Sequence, residues 1–203
     1  MYKTEQELFW AGSFGTEYIS RNNDDKLISS NIAFFYEIFK HTKDIDSVLE
    51  FGANIGMNII PIKRLLPEAE IAAIEINKDA CTELGRIPSL QVYNESILEF
   101  IPDKKYDFVF TKGVLIHINP DELDAVYQKL YETSSKYICI AEYYSASPVS
   151  LPYRGYENRL FKRDFAGELM DKYPGLSLVS YGFSYRRDNN FPQGDITWFL
   201  LKK

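Results

Sequence analysis

The feature that most constrains this chain is a short apolar strand that runs into a glycine-rich turn. Residues 47–51 (Ser-Val-Leu-Glu-Phe) have the composition of a buried strand, and Gly52 and Gly56 follow them. Glycine tolerates positive φ and carries no side chain that would keep backbone amides away from a ligand. An amphipathic helical pattern then covers residues 56–66. This order predicts an α/β protein whose ligand lies at the carboxyl end of the strand.

The spacing of the turn narrows the class of ligand. Glu50, Gly52 and Gly56 form the pattern Glu-x-Gly-x-x-x-Gly, which is longer than the G-x-G-x-x-G of dinucleotide sites. We expect Glu50 to sit inside the pocket, where it would repel a pyrophosphate but suit an ammonium or another cation. S-adenosylmethionine carries a sulfonium and an ammonium, whereas NAD carries a diphosphate. The pattern therefore favours S-adenosylmethionine, with a nucleotide-dependent oxidoreductase as the alternative.

A second carboxylate supports a nucleoside site. Glu75 ends the apolar segment 70–76 and follows Glu50 by 25 residues. An acid at the tip of the second strand commonly accepts hydrogen bonds from ribose hydroxyls. Either glutamate alone is explained equally well as a solvated strand end. Both together, in a strand–turn–helix–strand frame, favour nucleoside binding.

Strands and helices alternate after residue 47, which predicts a mainly parallel sheet with right-handed crossovers. The expected strands are near 47–51, 70–76, 90–93, 106–111 and 136–142, and the expected helices are near 56–66, 78–86, 121–133 and 164–173. Residues 176–185 and 196–201 then form a terminal antiparallel hairpin. The first forty residues are predicted to be helical, with Asn22–Asp24 capping a helix.

Composition excludes several classes of protein. A net charge of −6 argues against a nucleic-acid partner, because phosphate binding needs a basic field. Cys81 and Cys139 are too few for a disulfide framework and are expected to be buried thiols. His41 and His117 are the only imidazoles, so no metal site is predicted. No apolar run approaches ~18 residues, and no signal peptide pattern begins the chain, so we expect a cytoplasmic protein without a membrane partner.

These motifs resemble the class I S-adenosylmethionine-dependent methyltransferases over about residues 45–145. The resemblance rests on the glycine turn, on the strand ending in Glu75, and on residues 106–118, which match the family's fourth strand and the loop after it. A narrower resemblance, to the pseudaminic-acid-biosynthesis-associated methylases, spans nearly the whole chain and rests on Phe9-Trp10, Phe14-Gly15, Tyr18, Arg21-Asn22, 160–165 and 195–200. It implies a role in a bacterial nonulosonic acid or sugar pathway.

The resemblance implies a Rossmann-like class I methyltransferase fold with a mostly parallel seven-stranded sheet, a C-terminal antiparallel hairpin and helices on both faces. It implies a single domain over 1–203, in which 1–44 is a helical lid, 45–145 binds the cofactor, and 146–203 holds an acceptor-side insertion and the hairpin. The alternative for the lid is that Phe9 and Trp10 only pack a short helix onto the core.

The implied cofactor is S-adenosylmethionine, with S-adenosylhomocysteine as product. The residues expected around it are Trp10, Tyr18, Arg21, Glu50, Gly52, Ala53, Asn54, Gly56, Glu75, Ile76, Asn77, Ser96, Ile97, Thr111, Lys112 and Val114. The glycine turn would surround the amino-acid end, and Thr111, Lys112 and Val114 would line the methionine moiety. Glu50 would order the turn or meet the ammonium through water.

The resemblance also assigns the two ends of the cofactor. Glu75 would bind the ribose, while Ile76 or Asn77 would contact the adenine. Ser96 stands where the family often carries an acid beside the adenine, although a hydroxyl can still accept a hydrogen bond. Arg21 is a candidate partner for the cofactor carboxylate, and a surface helix arginine is the alternative.

Three residues near the ends of the fourth and fifth strands are candidates for catalysis. His117 is the best candidate base, because an imidazole titrates near neutral pH. Glu142 and Tyr143 are expected at the pocket rim, where they would orient or deprotonate an acceptor. The alternatives are a packed His117 that bonds backbone, and strand-end solvation for the other two.

The acceptor is expected to lie against the later part of the chain. A long aromatic and polar insertion follows the fifth strand, and the candidate substrate-binding residues are Tyr144, Arg154, Tyr156, Arg163 and Arg186. A mixed-charge solvated face is the alternative. We therefore predict methyl transfer to oxygen or nitrogen of a small, anionic, sugar-like metabolite by a monomer or homodimer. A methyltransferase-like binding subunit without catalysis is the competing function.

Overall fold

The structure is a computed structural model that describes residues 2–20 and 25–203. Arg21 and the predicted cap Asn22–Asp24 lie outside the described residues. The described helices are α1 (Glu5–Ala11), α2 (Ser13–Ile19), α3 (Asp25–Phe39), α4 (Ile59–Leu65), α5 (Lys78–Leu84), α6 (Leu123–Thr133) and α7 (Phe165–Lys172). Two short 3-10 helices, Leu115–His117 and Pro120–Glu122, lie between β4 (Tyr106–Lys112) and α6.

Seven of the described strands form one sheet. In chain order they are β1 (Ser47–Phe51), β2 (Glu70–Glu75), β3 (Leu90–Asn94), β4, β5 (Ser134–Glu142), β8 (Ser177–Ser184) and β9 (Ile196–Lys202). Their spatial order is β3-β2-β1-β4-β5-β9-β8, in which β9 runs antiparallel to β5 and to β8. The order reverses between β1 and β4, which is where open α/β sheets form their ligand crevice. The predicted seven-stranded, mostly parallel sheet with a terminal hairpin is confirmed.

The central strands are apolar on both faces because helices cover both faces. Leu49 and Val109 belong to the core on the side of α6 and α7, whereas Val48, Phe108 and Phe110 belong to the core on the side of α3 and α4. All five side chains are fully buried. This double burial fixes β1 and β4 as the rigid middle of the sheet.

The N-terminal helices divide between two tasks. Phe35 and Ile38 of α3 are fully buried in the core, so α3 is a layer helix of the sheet. Helices α1 and α2 contribute Gln6, Glu7, Trp10, Gly15 and Tyr18 to the wall of the cavity described below, and α3 contributes Leu27 and Asn31. Most of the wall residues from the predicted 1–44 lid therefore belong to α1 and α2.

The insertion after β5 contains regular secondary structure that was not predicted from the sequence. It forms a second, two-stranded antiparallel sheet of β6 (Val149–Tyr153) and β7 (Tyr156–Lys162). The turn between them holds Arg154 at φ 52° and Gly155 at φ 86°. Two residues with positive φ are typical of the tight hairpin turn that matches strand twist. The hairpin escaped prediction because its polar side chains hide the period-2 pattern of a strand.

A proline-containing turn also differs from its predicted form. The segment Asn119–Glu122 forms a 3-10 turn rather than the first turn of α6, which begins at Leu123. Asn119 still caps this turn, since its side chain accepts a hydrogen bond from the N–H of Asp121 at 3.0 Å. Within the described ranges, no helix combines the length and the apolar character needed to cross a bilayer.

Candidate active site

A cavity of about 360 Å³ opens at the carboxyl ends of β1, β2, β3 and β4. This volume lies in the range of ~300–1,000 Å³ that is usual for small-ligand pockets. Of the predicted cofactor residues, the wall contains Trp10, Tyr18, Gly52, Ala53, Asn54, Glu75, Ile76, Asn77, Ser96, Ile97, Lys112 and Val114. Twelve of the sixteen predicted cofactor residues therefore lie on one wall, and their contact with a cofactor stays a prediction.

Three of the predicted cofactor residues do not lie on the described wall, namely Glu50, Gly56 and Thr111. All three are buried behind the wall. A fourth, Arg21, lies outside the described residues. Glu50, Gly56 and Thr111 surround the turn and the strand ends without facing the cavity. We expect them to influence ligand binding indirectly, by positioning the residues of the wall.

The two glycines of the turn serve different purposes. Gly52 has φ 77°, and a Cβ there would lie 2.8 Å from Cγ2 of Val114, at the wall. Gly56 has φ 85°, but a Cβ there would lie 2.5 Å from Cδ1 of Ile87, in the layer that packs α5 against the sheet. The expectation that both glycines admit a ligand is corrected: Gly56 is required by backbone conformation and packing.

Glu75 joins the turn to the second strand. Its Oε2 accepts the N–H of Asn54 at 2.7 Å, and its Oε1 accepts the N–H of Asn77 at 2.7 Å. Burial raises the pKa of this carboxyl, and these backbone donors oppose the rise. A carboxylate has about four acceptor directions. Directions remain free on Glu75 for hydroxyl groups of a ligand in the cavity.

Glu50 lies behind the turn rather than inside the pocket, which corrects the expectation for this residue. Its Oε1 accepts a hydrogen bond from Nδ2 of Asn58 at 2.6 Å, and its Oε2 has no partner among the described residues. Burial raises the pKa of Glu50 to about 8, while Asn58 and Lys112 act against the rise. Glu50 thus orders the turn through Asn58.

Lys112 is the one Lys or Arg side chain on the described wall. Its Nζ donates to Oδ1 of Asn31 at 3.0 Å, and the same oxygen accepts Nε2 of Gln193 at 2.9 Å. Burial lowers the pKa of Lys112 to about 8, and the charge of Glu50 partly offsets this. A partly buried ammonium facing a cavity suits a carboxylate on the ligand.

At the β3 end of the cavity, the structure reveals a carboxylate that the sequence analysis missed. Glu7 of α1 lies on the wall, and its Oε1 accepts the hydroxyl of Ser96. Its Oε2 accepts the N–H groups of Lys3 at 2.6 Å and Thr4 at 2.9 Å. The sequence Thr4-Glu5-Gln6-Glu7 carries a capping-box pattern, but that pattern predicts only where a helix starts.

Three aromatic rings cluster on the wall. The ring of His117 contacts those of Trp10 and Tyr153 at centroid distances of 4.7 Å each, and the Trp10 and Tyr153 rings are 6.4 Å apart. Nδ1 of His117 is 2.5 Å from the carbonyl oxygen of Arg159. Because a carbonyl only accepts, Nδ1 carries the proton and Nε2 is the ring's acceptor. Burial lowers the pKa of His117 to about 4, so the ring is neutral at pH 7.

Of the two strand-end candidates, Tyr143 lies on the wall and Glu142 does not. The carboxylate of Glu142 accepts backbone N–H groups of Val114 at 3.0 Å, Leu115 at 3.0 Å and Ile116 at 3.4 Å. Burial raises its pKa to about 7. Its expected place at the rim is corrected, because the carboxylate is used to hold the loop that carries His117.

The five candidate substrate-binding residues, Tyr144, Arg154, Tyr156, Arg163 and Arg186, all lie off the described wall. Arg163 donates to Glu168 at 2.7 Å, and Arg186 lies 3.5 Å from Asp195. Long charged side chains on exposed strands and turns find local partners. A role for these five residues in substrate binding stays a prediction.

The remaining members of that set show the same behaviour. Tyr156 packs on the rings of Phe9 at 5.0 Å and Phe14 at 5.9 Å between centroids. Tyr144 is 44% exposed, and Arg154 occupies the hairpin turn. Tyr153, which the sequence analysis passed over, is the residue of the hairpin that reaches the wall.

Several polar atoms of wall residues are buried without a partner in the described part of the chain. They include Oε1 of Gln6, Nε1 of Trp10 and Oδ1 of Asn54. Buried polar groups are normally hydrogen-bonded, so their position indicates a polar ligand. The described residues include no group of three or more His, Cys, Asp or Glu side chains arranged to hold a metal ion.

No protein-family model and no curated protein sequence matches the chain. Solved structures do. The plantazolicin methyltransferase BpumL, solved with S-adenosylhomocysteine (SAH), matches with a TM-score of 0.67 over 98% of this chain and 93% of its own, at 14% identity. The class I methyltransferase fold is shared. Magnesium protoporphyrin IX methyltransferase (ChlM) from Synechocystis PCC 6803, solved with bound S-adenosylmethionine (SAM), matches at TM-score 0.67 and 14% identity over 100% of this chain and 99% of its own.

A third methyltransferase of this fold acts on another kind of molecule. Coclaurine N-methyltransferase, bound to N-methylheliamine and SAH, matches at TM-score 0.66 and 12% identity over 85% of this chain and 72% of its own. The three proteins are named for different acceptors. At these identities the likeness establishes the fold, and the pseudaminic-acid-associated subgroup stays a prediction.

Proposed function

We propose that this protein transfers a methyl group from SAM to oxygen or nitrogen of a small acceptor, releasing SAH. The observation that carries the proposal is the cavity across the ends of four neighbouring strands. Its wall holds the buried acid Glu75, the partly buried ammonium of Lys112 and several unpartnered polar atoms. The fold, shared with methyltransferases solved with SAM or SAH, supports the same function.

The wall residues fit the parts of SAM in order across the sheet. The free acceptor directions of Glu75 suit the ribose hydroxyls, and the turn at Gly52 suits the amino-acid end. Lys112 is our proposed partner for the cofactor carboxylate, because it is the cation of the described wall. Ile76 and Ile97 supply apolar surface for the adenine. Across β3 to β4 the site spans about 14 Å at the usual strand spacing.

The chain's own residues have to position the acceptor, since the sulfonium of SAM already makes its methyl group electrophilic. Positioning of two reactants accounts for several kcal/mol of a barrier. Nε2 of His117 is a neutral acceptor at pH 7, so it can take a hydrogen bond from an O–H or N–H of the acceptor. We propose this orienting role for His117, with Tyr143 beside it on the wall.

Helices α1 and α2 are our proposed lid. Trp10 and Gly15 lie on the wall, and Trp10 packs on His117. The lid therefore contacts the region where the acceptor and the methyl group would meet. This proposal narrows the lid that the sequence predicted over 1–44 to the two helices that precede the layer helix α3.

The proposed acceptor is a small ring compound whose flat face packs on Trp10, His117 and Tyr153. Aromatic walls suit sugar and heteroaromatic rings alike. The anionic, sugar-like acceptor predicted from the sequence is a narrower form of this proposal. Its support is weaker than expected, because the arginines that suggested an acidic group lie off the described wall and Lys112 is assigned to the cofactor.

Calorimetric titration with SAH and with NAD tests the cofactor. We expect saturable binding of SAH and none of NAD. Binding of NAD alone would support the oxidoreductase alternative, and binding of neither would contradict the proposal.

A turnover screen then tests catalysis. Incubation with SAM and pooled small metabolites, followed by mass spectrometry, should reveal a product heavier by one CH₂ unit. Matched incubations with SAH in place of SAM provide the control. Tight SAH binding without a methylated product from any tested acceptor would favour the inactive binding subunit.

A further inference from the structure

We propose that Glu7 of α1 recognises the exocyclic amino group of the cofactor's adenine and makes the site selective for adenine. This inference rests on the proposed function. The residues that share the β3 end of the cavity with Glu7 are Thr4, Ser96, Ile97 and Leu98. Two protein segments far apart in sequence thus enclose one end of the cavity with a carboxylate between them.

The carboxylate is buried and only partly satisfied. Glu7 is 7% exposed, and no Lys or Arg of the described ranges forms an ion pair with it. Its Oε2 holds the N–H groups of Lys3 and Thr4, while Oε1 accepts only the Ser96 hydroxyl. Each carboxylate oxygen has two acceptor directions, so one direction at Oε1 remains for a donor in the cavity.

The helix cap alone does not require a carboxylate at this position. The capping box of α1 uses Oε2 of Glu7 and the N–H of Thr4. Glutamine supplies the same acceptor in a capping box, so it would serve the helix equally. Burial of an acid without a cation is costly unless donors compensate it. The helix cap therefore does not account for the second oxygen, Oε1, which bonds to Ser96 at the wall. A ligand that donates a hydrogen bond to Oε1 does account for it.

The adenine amino group is such a donor, and hypoxanthine carries an oxo group in its place. An oxo group at that position of the base would present an acceptor to a carboxylate that can only accept. The oxo analogue leaves the remaining acceptor direction of Oε1 unfilled and brings two partial negative charges together. Glu7 would therefore reject a hypoxanthine nucleoside as well as bind an adenine nucleoside.

The test is calorimetric titration with SAH and with S-inosylhomocysteine, which carries oxygen in place of the amino group. We expect the wild-type protein to prefer SAH by about 10- to 100-fold, as for a hydrogen bond to a charged group. Glu7→Gln should bring the two dissociation constants close together, because an amide both donates and accepts. Glu5→Gln is the matched control on the same helix, and it should keep the wild-type preference since Glu5 lies off the wall.

The outcomes separate this inference from the proposed function. A Glu7→Gln protein that binds SAH with the wild-type preference would overturn the role of Glu7 and leave the methyltransferase proposal intact. A wild-type protein that binds neither compound would instead contradict the proposed function.

A double variant guards against a folding artefact. Glu7→Gln combined with Ser96→Asp returns a carboxylate to the other side of the same contact, where the side chain can still accept the N–H of Leu98, as Ser96 does at 3.0 Å. We expect this variant to regain a preference for SAH. A double variant with no preference would contradict the placement of the adenine between Glu7 and Ser96.

Discussion

The two sides of the cavity are built in different ways. On the sheet side, the N–H of Gly52 donates to the carbonyl of Ile74, and Glu75 lies in the β2–β3 ladder. The N–H of Asn54 donates directly to Glu75. On the cover side, formed by α1, α2 and the β6–β7 hairpin, Trp10 and Tyr153 are placed by side-chain contacts between segments remote in sequence. The comparison shows that the backbone of the sheet places one wall of the cavity, whereas tertiary packing between distant segments places the other.

The cover holds together through a small number of polar and aromatic contacts. Nε2 of Gln6 donates to the carbonyl of Asn158 at 3.1 Å, and Arg159 pairs with Glu5 at 2.9 Å. Phe9 packs on Tyr156. Exposed contacts of these kinds each contribute little. We therefore expect the cover to open at a lower free energy than the sheet, which is how ligand-binding lids commonly behave.

The largest predicted effect lies on the sheet side, at Glu50. Its folded pKa of about 8 exceeds the ordinary value of 4.5, so between these values the native state holds a proton that the unfolded state has released. The free energy of unfolding should therefore fall as pH rises from 4.5 to 8, by up to about 1.4 kcal/mol per pH unit from this group. Glu50→Gln should remove that slope, as measured by urea unfolding at several pH values.

The control for Glu50 is Glu68→Gln, a change on an exposed side chain. It should keep the wild-type pH dependence. If the free energy of unfolding depended on pH equally in the wild type and in Glu50→Gln, the pKa of Glu50 would not be raised by folding. Burial of this acid would then not destabilise the sheet side at neutral pH.

The next effect is on cofactor affinity. Glu75→Gln removes a charged acceptor from the ribose region, so the dissociation constant for SAH should rise about 10- to 100-fold. Calorimetry measures it, with Glu68→Gln again as the control. A change in the dissociation constant below about threefold would contradict binding of the ribose by Glu75. It would also contradict the assignment of cofactor binding to the sheet side.

On the cover side, the third prediction concerns the protonation of His117. Burial under Trp10 and Tyr153 contributes to its low pKa, so Trp10→Ala should raise that pKa from about 4 toward 6.5. The chain has two histidines, which makes an NMR pH titration simple to assign. Leu8→Ala, at an exposed position of the same helix, is the matched control.

The same group gives a stability effect with the opposite sign to Glu50. Because the folded pKa of His117 lies below the ordinary 6.5, the unfolded state binds the additional proton as pH falls from 6.5 to 4, and stability is lost over that window. Trp10→Ala should make this acid-side loss shallower. An unchanged pKa in Trp10→Ala would mean that the cover does not control the solvation of His117.

The smallest predicted effect is local. Tyr156→Ala removes the ring that packs on Phe9 and Phe14, an interaction of about 0.5–1.5 kcal/mol. Hydrogen exchange of the α1 amides should become faster, while exchange in β1 stays unchanged. Tyr36→Ala, at an exposed residue of α3, should alter neither. Equal acceleration in α1 and β1 would show that the cover and the sheet open as one unit.

The sequence predicted the sheet side well because its information is local. The strand 47–51 coincides with β1, and the strands ending in Glu75 and near Lys112 have bounds close to those expected. Strand, glycine turn and helix are specified by neighbouring residues, and parallel strands bring their carboxyl ends to one edge. The wall residues Gly52, Asn54 and Glu75 follow from this arrangement.

The contacts of the cover side could not be predicted from the sequence, because they join segments that are far apart in the chain. Ser96 and Glu7 are 89 residues apart, and His117 and Arg159 are 42 apart. No local pattern states which partners such side chains will have. The arginines were assigned to a substrate only because their charge would suit an anion. In the structure, Arg163 and Arg186 instead pair with nearby carboxylates.

The amino-acid order by itself determined the sheet, its ligand-binding edge and the acid at the end of the second strand, because backbone preferences and hydrophobic periodicity act over a few residues. The tertiary structure alone decided which side chains face the cavity. It placed Glu7 and the Trp10–His117–Tyr153 cluster on the wall. Burial, which only packing between distant segments creates, then set the pKa values of Glu50 and His117.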